Sequence, residues 1–192
     1  MPPIILASTS PFRREILTKL GLEFTSCPPE VDEQAKPGEK PEELVLRLAI
    51  EKARAVAQQH SSGLVIGSDQ LAVIDGEILG KPGDHANAVR QLQHASGKTV
   101  IFYTGLCLFN AETGKYQSEV VPFKVIFRQL SDQQIENYLN AEQPYNCAGS
   151  FKSEGLGISL FERLEGDDPN TLIGLPLIRL VRMLEAEGVQ II

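Results

Sequence analysis

Two periods of hydrophobic spacing alternate along this chain. Short apolar or alternating runs such as "PIILAST" and "EFTSC" predict strands, and apolar residues recurring every three or four positions predict helices. Ser10 is a natural N-cap and Pro11 suits a first helical position, so a helix follows the first strand and ends at Gly21. A proline- and charge-rich loop from Pro28 to Lys40 leads into a long helix, "PEELVLRLAIEKARAVAQQH". "LVIGSDQLAVI" reads as a strand, and Asp75-Gly76 turns it into "EILGK". A helix is predicted over roughly Asp84 to Ala95. "TVIFYTGLCLFN" and "YQSEVVPFKVIFRQL" then form a hairpin around "AETGK". Ser131 with Gln134 has capping-box spacing. "AGSFKSEGLGISLFERLEG", a polar turn "DDPNT" and a helix from about Pro176 to Glu187 complete the chain. Alternating strands and helices without repeats, low-complexity tracts or linkers predict an α/β fold in a single domain, residues 1–192.

Four places break the apolar pattern with charge. Val45, Leu48, Ala49 and Val56 mark the buried stripe of the long helix, and Lys52 falls in its middle. Either Lys52 snorkels outward on its methylene stem or it meets an anion at the mouth of the core. Asp69 interrupts a strand face otherwise made of Val65, Gly67, Leu71 and Val73. Either "GSDQ" is a surface turn between two strands, or Asp69 is a carboxylate on a rigid element. The hairpin at Asp75-Gly76 brings "GKP" back toward "GSDQ", and so Lys81 toward Asp69. Arg13 extends the buried stripe of the first helix to its N-terminal end, where unpaired N–H groups favour an anion, and Arg14 adds a second guanidinium. The alternative for both arginines is ordinary solvation.

Composition narrows the chemistry. The net charge of -7 argues against a broad nucleic-acid surface, which needs clustered basic residues. No apolar run approaches the length of a membrane span, and the N-terminus reads as a strand, not a signal peptide. Cys27, Cys107 and Cys147 are odd in number and far apart, which fits a reducing cytoplasm better than a zinc site or disulfide framework. His60, His85 and His94 are scattered. Two arginines, two lysines and Asp69, with Glu33 or Asp32 on the intervening loop, suit a polyphosphate and a divalent cation. Magnesium takes oxygen ligands and shares substrate phosphates with one or two carboxylates. Neither the Walker nor the Rossmann glycine spacing is present.

The ordered set "LASTSPFRREIL", "VDE", "EKA", "GSDQ", "GKP", "YTG", "AGSFKSEGLG" and "DPNTLIGLP" resembles the Maf-like nucleotide pyrophosphatases over nearly the whole chain. The resemblance implies a mixed central β-sheet flanked by helices, with a deep cleft, related to the inosine triphosphatases. It implies cleavage between the α and β phosphates of a nucleotide, dependent on Mg2+ or Mn2+, and a homodimer. By motif, Ser8, Arg13 and Arg14 would contact phosphate. Glu33, Lys52, Asp69 and Lys81 would form the catalytic group, with Asp69 the proton acceptor; from the residues alone, Glu33 and Asp69 either ligate the metal or activate a water.

Phe12, Gln70 and Glu154 stand where members acting on dTTP and UTP have arginine, threonine and glutamine. In this the chain resembles the branch acting on 7-methyl-GTP, in which tryptophan is common at the Phe12 position. An aromatic face attracts the cationic methylated base, and Glu154 can accept from the amino edge of guanine. The alternatives are a packed Phe12 and a Glu154 that is solvated or paired with Lys152. The functions expected are removal of modified nucleotides before their incorporation into RNA or, as rivals, a dTTP/UTP pyrophosphatase or a non-catalytic regulator of cell division.

Overall fold

A computed structural model describes residues 1–192. The strands are β1 (Ile4–Leu6), β2 (Phe24–Ser26), β3 (Leu64–Ile74), β4 (Glu77–Leu79), β5 (Thr99–Asn110), β6 (Tyr116–Phe127) and β7 (Phe161–Glu165). The helices are α1 (Pro11–Thr18), α2 (Pro41–Ala57), α3 (His85–Ala95), α4 (Asp132–Glu142), α5 (Pro169–Ile173) and α6 (Leu177–Ala186). One mixed sheet runs in the order β2-β1-β3-β5-β6-β7, with β4 paired to β3. β1 is parallel to β2 and β3, while β4 and β7 pair antiparallel to β3 and β6. No helix is long and apolar enough to cross a membrane.

The chain packs as two compact units. The first comprises Met1–Gln70, Tyr103–Val121 and Asp168–Ile192, and the second Leu71–Phe102 and Pro122–Asp167. In the first unit, side chains alternate between two faces of the strands. Ile4, Leu6, Leu64, Ile66, Leu106 and Leu108 pack with Ile16 and Leu17 of α1 and Leu180, Met183 and Leu184 of α6. Ile5, Ala7, Val65, Cys107 and Phe109 pack with Ala49, Ala53, Val56 and Ala57 of α2.

Two glycines control how closely α2 sits on its face. A Cβ on Gly67 would lie 2.1 Å from the carbonyl oxygen of Ala49, and one on Gly105 2.1 Å from that of Val45. Only a residue without a side chain permits this approach at both positions.

β3 is continuous through "GSDQ", so Asp69 stands on a strand and not in a turn. The "DDPNT" segment departs from the predicted polar turn. Asp168 is buried, its carboxylate accepts from the Asn170 backbone N–H, and Pro169 opens the short helix α5. An Asp N-cap followed by proline is a helix start, and that local signal outweighs the polarity of the run.

In the second unit, Asp75 and Gly76 both take positive φ between β3 and β4, as a tight hairpin requires. Asp84 caps α3 by accepting from the Asn87 backbone N–H, and Ser131 and Gln134 form the capping box of α4. Edge-to-face contacts join Phe102, Phe127, Phe151 and Phe161.

A Gly67→Ala substitution must push α2 away from β3. We expect a loss of about 1–3 kcal/mol, read as a lower urea midpoint. Gly80→Ala has open space around the added methyl and ordinary φ, and should stay within about 0.5 kcal/mol of wild type.

Candidate active site

The close seating of α2 puts a helix lysine against a strand carboxylate. Lys52 is buried at 7% exposure, and its Nζ lies 2.7 Å from Asp69 Oδ1. The Glu33 carboxylate, on the loop before α2, reaches the same ammonium at 2.5 Å. Glu33 is 62% exposed at its side chain and Asp69 14%, so the pair of carboxylates spans the boundary from solvent to core. Lys52 therefore does not snorkel to solvent. It is the cation between two acids.

Arg13 stands close enough to this group for Asp69 and Glu33 to act on its charge. Ser10 Oγ accepts from the Arg13 backbone N–H and so caps α1, while Arg13 Nε donates to the Gly174 carbonyl at 2.9 Å. Ser8 is buried, and its Oγ accepts from the Ser10 N–H at 3.1 Å. Arg14 is exposed on the first turn of α1.

Desolvation pushes the Asp69 carboxyl above the usual aspartate value, against the pull of Lys52 and then Arg13. Burial likewise lowers the Arg13 guanidinium, with Asp69 and Glu33 opposing the shift. A guanidinium starts so high that it remains cationic.

Alternation along β3 turns Asp69 toward α2 and its neighbours Ser68 and Gln70 toward α5. Ser68 Oγ donates to the Gly174 carbonyl at 2.9 Å. Gln70 Nε2 donates to Thr104 Oγ1 at 2.9 Å and to the Thr171 carbonyl at 2.7 Å, which commits the amide nitrogen inward. Asp168 also accepts from the Ile178 N–H, tying α6 to α5. Sequence reasoning passed over Ser68, Thr104, Asp168 and Gly174. The Asp-Pro helix start was the available signal for Asp168; Ser68 and Thr104, which act through their hydroxyls, and Gly174, which acts through its carbonyl, stand in the motifs "GSDQ", "YTG" and "DPNTLIGLP" without a role of their own being read from them.

Phe12 is 43% exposed at the start of α1, so it is not packed under the loop. Lys81 and Glu154 belong to the second unit, and both are exposed. There, the Gly80 carbonyl accepts from Gln91 Nε2 at 3.0 Å, while the buried Ser150 hydroxyl donates to Gln91 Oε1. Gln91 thus links the turn carrying Lys81 to the segment preceding Glu154. Ser150 has positive φ (67°), a conformation costly for a non-glycine residue. Glu154 Oε2 accepts from Ser153 Oγ at 3.3 Å.

A buried lysine between two carboxylates, beside an arginine fixed at a helix N-terminus, is an arrangement suited to anion chemistry. The family model described as "Maf-like protein" matches residues 3–187, and the chain belongs to that family. It is 58% identical over 97% of its length to a protein named 7-methyl-GTP pyrophosphatase from Nitrosococcus oceani, covering 94% of that relative. Relatives of the same name from Alcanivorax borkumensis and Colwellia psychrerythraea are 60% and 59% identical over 99% and 100% of this chain, and 96% of each relative is covered. Among solved structures, the Staphylococcus aureus Ham1 protein aligns with a TM-score of 0.45 and 17% identity over 68% of this chain and 72% of that one.

The raised Asp69 pKa has a definite sign. A carboxyl whose folded value exceeds its unfolded one contributes full stability below the unfolded value and loses it as pH rises through the folded value. Asp69→Asn cannot ionise, so unfolding in urea at stepped pH should show the stability difference moving in favour of the variant as pH rises through that titration. In Lys52→Met the carboxyl loses its main counter-charge, and its NMR-detected titration should move further upward.

Proposed function

We propose that this protein is a pyrophosphatase that hydrolyses 7-methyl-GTP to 7-methyl-GMP and pyrophosphate. The observation that carries the reading is Asp69, a mostly shielded carboxylate paired with Lys52 at 2.7 Å and within the field of Arg13, in a chain whose relatives bear that name. Burial raises its proton affinity above that of an ordinary surface aspartate, which suits a proton acceptor. Asp69 takes the proton from a water that attacks the α phosphorus in line, and pyrophosphate leaves from the opposite side. Lys52 holds Asp69 in place and offsets the charge that builds on the phosphoryl oxygens. Arg13, anchored through Nε, supports the phosphates together with Arg14, Ser8 and the N-terminal N–H groups of α1. By its motif, Lys81, on the second unit, would supply a further cation.

The donor set also fits a divalent cation. Glu33 and Asp69 present two convergent carboxylates, and no third His, Cys, Asp or Glu completes a cluster of three. That is the ligand number expected of a magnesium or manganese ion held partly by substrate phosphates. When bound, the ion would neutralise phosphate charge.

The base is read by chemistry rather than by size. Methylation at N7 makes guanine cationic, and the exposed Phe12 ring offers a stacking face to it. Glu154 accepts from the N1–H and amino edge. Gln70, its amide nitrogen committed inward, directs its carbonyl oxygen as an acceptor. We assign the protein a cytoplasmic, homodimeric form, no nucleic-acid partner, and the removal of methylated nucleotides before they enter RNA.

Pyrophosphate release from 7-methyl-GTP, GTP, dTTP and UTP, with magnesium or manganese, tests the reading. We expect preference for 7-methyl-GTP, and preference for dTTP or UTP would overturn the base assignment. Asp69→Asn should lose about 10²–10⁴ in kcat. Phe12→Ala should raise KM for 7-methyl-GTP by a factor corresponding to about 0.5–2 kcal/mol while leaving GTP less affected. Turnover should stop on chelation and return with either metal.

A further inference from the structure

The loop that carries Glu33 has few apolar residues to hold it. Between Val31 and Lys40 the side chains are mostly polar and exposed, and no strand or helix is present. Yet Glu33 reaches Lys52, and the next residue, Gln34, is held by its backbone. Arg47 Nη2 donates to the Gln34 carbonyl at 3.0 Å. The same guanidinium makes a two-point contact with Glu39 at the far end of the loop, Nε to Oε1 at 2.6 Å and Nη2 to Oε2 at 2.9 Å. Its Nη1 meets Glu51, one helical turn on, at 3.0 Å. Glu39 Oε2 also accepts from the Lys36 N–H, closing the loop on itself.

We propose that Arg47 is a positioning residue for the reaction: it clamps both ends of the Gln34–Glu39 segment to α2 and thereby sets Glu33 against Lys52. The proposal rests on the assignment of Glu33 to the catalytic group. Arg47 and Lys52 lie five residues apart on one helix, so a single rigid element holds both the loop and the cation that Glu33 must meet. Arg47 and Glu39 are mostly shielded, at 17% and 9% side-chain exposure, in contrast to Glu33. The two-point contact matches a planar fork to a planar carboxylate, a geometry that lysine cannot reproduce. Hydrogen bonding from Arg47 holds the Glu39 carboxyl down to about 2, so the pair stays charged across the working pH range. Glu39→Gln removes the charge from the loop end while leaving the helix sequence untouched.

Two readouts separate this proposal from the function it builds on. The first is hydrogen exchange on the full-length protein. In Arg47→Met and Glu39→Gln, amides from Gln34 to Lys40 should exchange about tenfold or more faster, with α6 unchanged. Unchanged loop exchange in both variants overturns the clamp, whatever the enzyme does.

The second is kinetic, with 7-methyl-GTP as probe. Arg47→Met should lower kcat about 10- to 100-fold, with KM within about twofold, because misplacement of one group affects the reacting geometry more than binding. Arg47→Lys should recover only part of that loss. In a Glu33→Gln background the effect of Arg47→Met should vanish to within about twofold, since the group being positioned is gone. An equal loss in both backgrounds would show that Arg47 does not act through Glu33, and overturns the proposal. If Arg47→Met does not fold, Glu39→Gln carries both measurements. If wild type turns over no nucleotide, the pyrophosphatase reading and the catalytic half of this proposal fall together, and loop exchange still decides the clamp.

Discussion

The contact on which the site depends is the seating of α2 against β3 and β5. Glycines at 67 and 105 let the helix backbone approach where a methyl group would strike the Ala49 and Val45 carbonyls. At ordinary helix–sheet spacing, Lys52 would need to stretch toward Asp69, and the ammonium would sit in wetter surroundings. Close seating shortens that reach and removes water from both groups. Motifs that look catalytic in the sequence therefore do two jobs. In "GSDQ" the glycine admits the helix and the aspartate meets its lysine, while in "YTG" Thr104 holds Gln70 and Gly105 admits the same helix.

Stability alone gives little reason for this arrangement. A buried ion pair seldom returns more than its desolvation costs, and apolar replacements of similar volume are often as stable or more so. Asp69 illustrates the cost, because its carboxyl stays above the normal value even beside a lysine at 2.7 Å. The unit accepts this where the apolar stripe of α2 would otherwise continue. Arg13 repeats the pattern at lower burial, with its guanidinium fixed by the Gly174 carbonyl. An acidic chain thus gathers positive charge locally, on an otherwise repulsive background for anions.

Much of this was legible because the exceptions stand on strongly periodic elements. Lys52 is conspicuous only because Val45, Leu48, Ala49 and Val56 define a stripe, and Asp69 only because its face of the strand otherwise carries Val65, Gly67, Leu71 and Val73. Ser10, Pro11, Ser131 and Asp75-Gly76 were readable since each acts within a few residues of itself. What could not be read is contact between segments distant in sequence that runs through backbone carbonyls. Gly174 gives its oxygen to Arg13 and Ser68, and Gln34 gives its own to Arg47, and no residue preference marks either acceptor. "DDPNT" differs for another reason: the capping signal of Asp168 before Pro169 outweighs the polarity of the run, and the capping carboxylate is buried.

The loop before α2 shows how the choice of cation sets mobility. Two of its carboxylates, Glu33 and Glu39, each meet a basic residue of the same helix. Glu39 is held by a fork with two directed bonds and little exposure, which leaves it one geometry. Glu33 is held by an ammonium, a point charge that any approach direction satisfies, and it remains largely exposed. The fixed pair anchors the loop, and the adjustable pair keeps a carboxylate near Lys52 that can turn toward an arriving cation or water without breaking a directed contact. Exchanging the two bases would invert this, locking Glu33 and loosening the loop that presents it. The order along α2, arginine at 47 and lysine at 52, is therefore a physical requirement of the arrangement and not interchangeable positive charge.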